Sequence, residues 1–152
     1  MSTALKLEWE EEEEAAWLGI HSLLSDFRLA FQLNKQLGLQ MSRSKDIDFG
    51  EMGLFPLFEF EDLAQDCYCC LLPNQQKQLQ SNPSVGLFAE DVEWRTRYIL
   101  PERKEIDYLI KLSGQYAVNP AGWLNKIKEI PRVITAYYLE TNTLKSKQNL
   151  IF

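Results

Sequence analysis

The clearest hydrophobic period lies in the first quarter of the chain. Apolar residues recur there at spacings of three and four, which is typical of one face of an α-helix. They are Trp17, Ile20, Leu24, Phe27 and Phe31. Gly38 follows the last of these positions, and glycine readily adopts the left-handed conformation that ends a helix. The pattern predicts an amphipathic helix over about residues 11–37.

Alternating apolar and polar positions predict strands over much of the remaining chain. The predicted strands cover about residues 5–9, 54–63, 67–72, 92–100, 105–112 and 132–140. The last of these, residues 132–140, is apolar on both faces, which favours an inner strand. Residues 42–53 and 73–84 are polar and contain glycine or proline, so they are predicted to be loops.

A second helix is predicted to begin at Asn119-Pro120, an N-cap residue followed by a proline in the first turn, and to end at Pro131. The order of strand, helix, several strands, helix and strand is typical of an α+β protein and not of alternating β-α-β units. We therefore expect a single α+β domain over residues 1–152, with a mostly antiparallel sheet and two helices packed on one face.

The opposite face of such a sheet would still need cover. Ile134, Ala136 and Tyr138 would lie on one side of the predicted inner strand and would make a face partly apolar. A homodimer that packs sheet against sheet would cover it. The sequence therefore predicts self-association through the sheet, or contact with another protein partner.

The composition and charge of the chain indicate in which compartment it is found and which classes of partner it does not bind. The chain has 152 residues, of which 45% are hydrophobic, and a formal net charge of −6. It lacks the surplus of lysine and arginine that phosphate binding needs, so we expect no nucleic-acid partner. No apolar run approaches the roughly 20 residues of a membrane span, and Glu10–Glu14 interrupts any secretory signal. We expect a cytoplasmic protein with no membrane association.

Residue types that support catalysis or metal binding are sparse. A structural zinc site needs four cysteine or histidine ligands, whereas the chain has His21 and three cysteines, Cys67, Cys69 and Cys70, without paired spacing. Three cysteines so close together also make no disulfide framework, which favours free thiols in a reducing compartment. We expect no metal and no cofactor.

Two surface groups are weaker candidates. Glu105 and Asp107 would project from one strand face and could support acid–base chemistry. A basic patch of Arg95, Arg97, Arg103 and Lys104 beside Trp94 and Tyr98 could stack single-stranded bases. An ordinary solvated or salt-bridged strand surface is the interpretation that the pattern favours in both cases.

One segment resembles a known family signature. Residues 100–108, Leu-Pro-Glu-Arg-Lys-Glu-Ile-Asp-Tyr, are similar to the motif that names the IPExxxVDY family of bacterial proteins. Leu100 stands in place of the family's isoleucine and Ile106 in place of its valine. Residues 26–29 and 144–152 also resemble the family's N-terminal helix and C-terminus. The resemblance implies membership of that family and no particular activity, cofactor or substrate.

The motif has a physical interpretation of its own. Pro101 fixes φ at the entry to a strand, and a Tyr108 side chain in the core would need a hydrogen-bond partner for its hydroxyl group. The favoured interpretation is a structural turn and strand entry. The alternative is a polar pocket formed by Arg28, Glu102 and Asp107, so the candidate binding residues are Arg28, Glu102, Asp107 and Tyr108.

Together these observations favour a binding or assembly protein without catalytic activity. One alternative is a small-ligand sensor, because the strand–helix–strand unit at residues 105–140 is similar, at the level of fold, to ligand-sensing domains of the ACT type. The other alternative is an enzyme that uses Glu102, Asp107 and Tyr108.

Overall fold

The computed structural model describes residues 15–81 and 92–152. The strands are β1 (Ala16–Ser22), β2 (Ser42–Asp48), β3 (Leu54–Asp62), β4 (Cys67–Pro73), β5 (Gln75–Ser81), β6 (Val92–Tyr98), β7 (Tyr108–Gly114) and β8 (Val133–Leu139), and the α-helices are α1 (Asp26–Leu37) and α2 (Pro120–Lys128). The predicted strand at residues 5–9 and the run Glu10–Glu14 lie outside the described residues.

Six of the strands form one antiparallel sheet in the order β2-β3-β4-β7-β1-β8. The chain is therefore α+β with a mostly antiparallel sheet, as the sequence predicts. β5 and β6 pair separately as a two-stranded ribbon. β1 lies inside the sheet, where Leu18 is opposite Ile110 of β7 on one side and Tyr138 of β8 on the other.

Four strands and both helices form two interleaved β-α-β units. One unit runs from β1 through α1 to β4, and the other runs from β7 through α2 to β8. In each unit, a strand of the other unit lies between the two parallel strands. This is the ferredoxin-like, or split β-α-β, arrangement, with β2 and β3 added at the edge beyond β4.

Both helices pack on one face of the sheet, which confirms the expected layering. α1 buries Leu29, Ala30 and Leu33, and α2 buries Ile127. These residues share one core cluster with apolar side chains of β1, β4 and β7. Burial of such side chains contributes about 1.5–3 kcal/mol each relative to leaving them exposed, so this layer is a main source of stability.

The predicted start of α2 and the predicted end of α1 are confirmed. The Asn119 side chain accepts a hydrogen bond from the Gly122 amide at 3.2 Å, and Pro120 occupies the first turn, where its missing amide donor costs nothing. Gly38 ends α1 with a φ of 68°. Both signals depend on local backbone geometry, which a short stretch of sequence can specify.

The opposite face of the sheet is covered by the chain itself. A second buried cluster on that face combines the segment before β7 with the C-terminal segment; its covering residues are Ile99, Leu100, Ile106, Leu144 and Leu150. Ile106 lies so close to β1 that a β-carbon on Gly19 would be 2.8 Å from its Cδ1 atom. Within the described residues, the free apolar face that a sheet-against-sheet dimer requires is thus already occupied.

The predicted helix over residues 11–37 is wrong in its first half. Residues 16–22 form β1, and α1 begins only at Asp26. Trp17 and Ile20 imitate a helical stripe because β1 is buried on both faces, so its sequence has no strand alternation. Phe27 and Phe31, which the stripe assigned to the core, are 60% and 65% exposed.

Two segments predicted as loops contain strands. Residues 42–53 include β2, and residues 73–84 include β5, which pairs with β6. In β2, and in β5 as far as Leu79, no residue is buried. Without a buried face, neither strand has the alternation by which a strand is recognised in sequence.

β8 is an edge strand and not the predicted inner strand. Among the described strands it pairs only with β1. Its apolar residues on both faces reflect the two layers that cover the sheet: Ala136 contacts the helical layer, whereas Tyr137 and Leu139 contact the second cluster. Ile134 and Tyr138 remain 55% and 51% exposed.

Candidate functional site

One buried amide holds the segment that carries the family-like motif. Asn74, between β4 and β5, is fully buried. Its side-chain oxygen accepts a hydrogen bond from the Leu100 amide at 2.7 Å, and its side-chain nitrogen donates to the carbonyls of Arg103 and Ile106, each at 3.0 Å. The Asn74 backbone amide also donates to the Asp107 carbonyl at 2.9 Å. The motif therefore wraps around Asn74.

Asp107 joins the start of β7 to the end of β1. One of its carboxylate oxygens accepts a hydrogen bond from the Ser22 amide at 2.9 Å and lies 2.6 Å from His21 Nδ1. The Asp107 amide in turn donates to the Ile20 carbonyl at 2.8 Å. His21 thus lies on a strand and not on the predicted helix, and the carboxylate fixes the orientation of its ring.

The acid–base pair expected from Glu105 and Asp107 is not formed. Glu105 makes an exposed ion pair with Arg103 at 2.5 Å, and this contact lowers the pKa of Glu105. Asp107 instead contacts His21. The two carboxylates therefore hold different parts of the chain, and β7 begins only after both of them.

Tyr108 and Asp107 border a groove of about 380 Å³ near the start of α1. The Tyr108 hydroxyl group donates a hydrogen bond to the Leu24 carbonyl at 2.7 Å, so the buried tyrosine has the partner that it needs. Burial, together with the charges of Asp26 and Asp107, raises the pKa of Tyr108 to about 12. The hydroxyl group therefore remains a donor at neutral pH.

Glu102 attaches the C-terminal segment to the motif. Its carboxylate oxygens accept hydrogen bonds from the amide and the hydroxyl group of Ser146, each at 2.9 Å. Burial acts to raise the pKa of Glu102, but these hydrogen bonds and the charge of Lys145 outweigh burial and lower the pKa. The ionised carboxylate thus helps to hold the segment that covers the second face.

Arg28 does not join these residues. It lies on the exposed side of α1, with its guanidinium carbon 5.9 Å from the centre of the Phe27 ring, because the opposite side of the helix, around Leu29, faces the core. The polar pocket of Arg28, Glu102 and Asp107, which was the alternative interpretation of the motif, is therefore not assembled. The contacts of the motif residues support its structural interpretation.

A larger cavity, of about 840 Å³, opens where the C-terminal segment passes β1 and the end of β8. Lys111 of β7 lines this cavity, with its ammonium nitrogen 5.8 Å from the centre of the Trp17 ring and 5.3 Å from that of the Phe152 ring. In the sequence, Lys111 is an ordinary polar position of the alternating strand β7, so no motif points to it. The one feature of the sequence that could have indicated this position is a lysine inside a run of strand-forming apolar residues.

The three cysteines are free thiols on β4. Cys69 and Cys70 are buried, and burial raises their pKa values to about 12 and about 11. Such thiols are poor nucleophiles at neutral pH. In residues 15–81 and 92–152, no group of three or more histidine, cysteine or acidic side chains is placed to hold a metal ion.

Arg95 and Arg97 lie on the opposite face of the β5–β6 ribbon from Trp94, because side chains alternate between the two faces along β6. In the ribbon, Arg95 is opposite Gln78, Arg97 is opposite Gln76 and Trp94 is opposite Leu79. Trp94 is 65% exposed. The arginines and the indole ring therefore do not form one stacking surface.

The two edge strands of the sheet, β2 and β8, differ in how well they are protected against pairing with another chain. β2 carries four charged residues, has an irregular register between Ser44 and Ile47, and contains an ion pair between Arg43 and Asp46. β8 carries no charged residue along its whole length, VITAYYL. Charge and bulges are the usual means by which an edge strand avoids pairing with another chain, so among the described strands β8 is the unprotected edge of this sheet.

Comparison with known proteins adds no relative: no family model, no curated protein and no solved structure matches the chain. The resemblance of residues 100–108 to the IPExxxVDY signature stays a prediction. Within the part of the chain that the structure describes, no helix has the length and apolar character to cross a bilayer. The contacts, burial and charges of the described residues are therefore the basis for its function.

Proposed function

We propose that the protein is a non-catalytic assembly module that self-associates through the edge of β8. The observation that supports this proposal is the uncharged edge strand itself, on which Ile134 and Tyr138 are more than half exposed. A long, apolar, exposed edge is a template for pairing with another strand. Such a strand is costly to leave open, because it also promotes aggregation.

A second copy of the chain is the partner that we propose, because β8 is self-complementary. When two copies of β8 pair antiparallel about a twofold axis at Ala136, Ile134 lies opposite the partner's Tyr138. Aliphatic and aromatic side chains that face each other across two strands stabilise their pairing. The twofold axis produces this contact twice in each dimer.

The charges that flank β8 fit the same register. Arg132 precedes the strand and Glu140 follows it, and both are exposed. About an axis at Ala136, Arg132, in the turn before β8 with a φ of 71°, comes to the same end of the paired strands as the partner's Glu140. Moving the axis to Thr135 would instead place Arg132 opposite the partner's Tyr138, so one register satisfies both the apolar and the charged residues.

This arrangement replaces the sheet-against-sheet dimer expected from sequence. Edge pairing continues the sheet of one copy into that of the other and requires neither covered face to open. It therefore retains self-association through the sheet but moves the contact from a face to an edge.

Sedimentation velocity of the wild-type chain and of Ile134→Lys tests the proposal. We expect the wild type to be dimeric at micromolar concentration and Ile134→Lys to be monomeric, because a lysine on each edge strand opposes pairing. Since Ile134 is 55% exposed, the substitution should leave the fold intact, and the circular dichroism spectrum checks this.

Phe31→Lys is the matched control. Phe31 is an exposed apolar residue of similar accessibility on α1, away from β8. We expect it to leave the dimer unchanged. A monomeric wild type, or a dimer that Phe31→Lys disrupts and Ile134→Lys does not, would overturn the proposal.

A further inference from the structure

Lys111 occupies an unusual position for a charged residue. It lies on the inner strand β7, with Trp17 of β1 and Cys70 of β4 as its neighbours in the sheet. Its side chain is half-buried on the face covered by the C-terminal segment. Within the described residues there are three ion pairs, and Lys111 belongs to none of them. Lysine is rarely withdrawn from water without an anionic partner.

Two aromatic rings lie beside the half-buried ammonium group of Lys111. Trp17 and Phe152 lie within 6 Å of its ammonium group, which is the range of a cation–π contact. The rings bring no negative charge, however. A methionine would fill the same space without any charge to desolvate, so the ammonium group is better explained by an anion that binds to it than by the stability of the fold.

The surroundings of Lys111 define the kind of anion. The cavity of about 840 Å³ is within the size range of small-ligand sites. Its lining combines apolar side chains (Trp17, Leu150 and Phe152) with hydroxyl and amide groups (Thr141, Asn142 and Gln148). Among the described lining residues, the charged side chains are Lys111, Lys147 and Glu140.

We infer that this cavity binds a small organic carboxylate with an apolar or aromatic body. The carboxylate pairs with the Lys111 ammonium group, and the body of the ligand packs against Phe152 and Leu150. One ammonium group beside two aromatic rings favours a monoanion. The cavity shares Tyr138 and Glu140 with the proposed pairing of β8, but its test changes Lys111, which lies on β7 away from that contact, so either proposal can fail without the other.

Isothermal titration calorimetry with benzoate, phenylacetate and 3-phenylpropionate tests the inference on the full chain. We expect at least one of them to bind with a dissociation constant below about 1 mM. Phenylacetamide, which keeps the ring and lacks the charge, should bind at least about tenfold more weakly than phenylacetate, because it cannot form the charge-assisted contact.

Variants of two lysines locate the site. Lys111→Met should weaken carboxylate binding at least about tenfold and leave the temperature of thermal unfolding unchanged or raised, since methionine keeps the apolar stem of the half-buried side chain and removes only its charge. Lys126→Met, an exposed position on α2, should leave binding unchanged. The comparison of carboxylate with amide on the wild-type chain remains decisive even where a variant fails to fold.

Three results would overturn the inference. The first is the absence of binding heat from all three carboxylates up to about 10 mM. The second is equal affinity for phenylacetate and phenylacetamide. The third is unchanged carboxylate binding by a folded Lys111→Met variant.

Discussion

Asn74 connects β4 to the turn that precedes β7 through a single buried side chain. Its amide group binds the backbone of Leu100, Arg103 and Ile106 and has no contact with solvent. A buried polar group that loses its partner forfeits its hydration without replacement. The shape of the turn, and hence the placement of Asp107 and Tyr108, depends on this amide.

Replacement of Asn74 by alanine should therefore lower the free energy of unfolding by about 2–4 kcal/mol, because backbone groups around it are left unsatisfied. Urea denaturation followed by circular dichroism measures the change. Asn125→Ala removes an amide that is exposed on α2 and should alter stability by no more than about 0.5 kcal/mol. Equal losses in the two variants would show that Asn74 has no special role.

The contacts of single residues were the features least predictable from sequence. Tyr108 was expected to need a partner for its hydroxyl group, and the Leu24 carbonyl provides it. Asn74 and His21 were not connected to the motif, since 26 residues separate Asn74 from Leu100 and 86 separate His21 from Asp107. No local pattern specifies contacts at such distances along the chain.

At the scale of elements, β4 is shielded by β3 on one side and β7 on the other. Cys69 and Cys70 are inaccessible on this strand, and their raised pKa values keep them protonated. Cys67 at the start of the strand is partly exposed. The reactivity of the three thiols should therefore report on the integrity of the sheet.

We expect iodoacetamide at pH 8 to alkylate Cys67 first and to reach Cys69 and Cys70 only when the sheet opens, because alkylation needs an accessible thiolate. Mass spectrometry of the peptides from the native protein measures the order of modification. Denatured protein, in which all three thiols are accessible, is the control. Equal rates for the three cysteines in the native protein would contradict the placement of β4.

The elements that the sequence predicts correctly have an alternating pattern or a distinctive end. Apolar and polar residues alternate in part of β3 and around Lys111 in β7, α2 begins at a capped proline turn, and α1 ends at Gly38. β1 is buried on both faces and β2 has no buried residue, so neither carries a period. Their positions depend on the assembled sheet and not on local sequence.

At the scale of the whole molecule, two layers cover the faces of the sheet, and in residues 15–81 and 92–152 no strand pairs with the outer edge of β8. The α+β class and the placement of both helices on one face were predictable from the order of elements. The cover on the other face was not, because it comes from segments without regular structure around Ile99 and Leu150. Because this segment covers the second face, the self-association that we propose uses the edge of the sheet and not a face.

The charges beside β8 allow the register of the proposed dimer to be tested directly. Arg132, in the turn before β8, and Glu140, directly after β8, lie at opposite ends of a seven-residue strand of roughly 23 Å, so they do not compensate each other within one copy. In the proposed dimer each Arg132 faces the partner's Glu140. A single charge reversal therefore creates two like-charge contacts, and the double reversal restores two ion pairs.

The most direct measurement is the dimer dissociation constant of Arg132→Glu, Glu140→Arg and the double variant, by analytical ultracentrifugation. The account predicts that each single variant weakens the dimer by about tenfold, since each exposed contact contributes about 0.2–1 kcal/mol and occurs twice. The double variant should return to the wild-type value. Unchanged single variants, or a double variant weaker than either of them, would contradict pairing of β8 about Ala136.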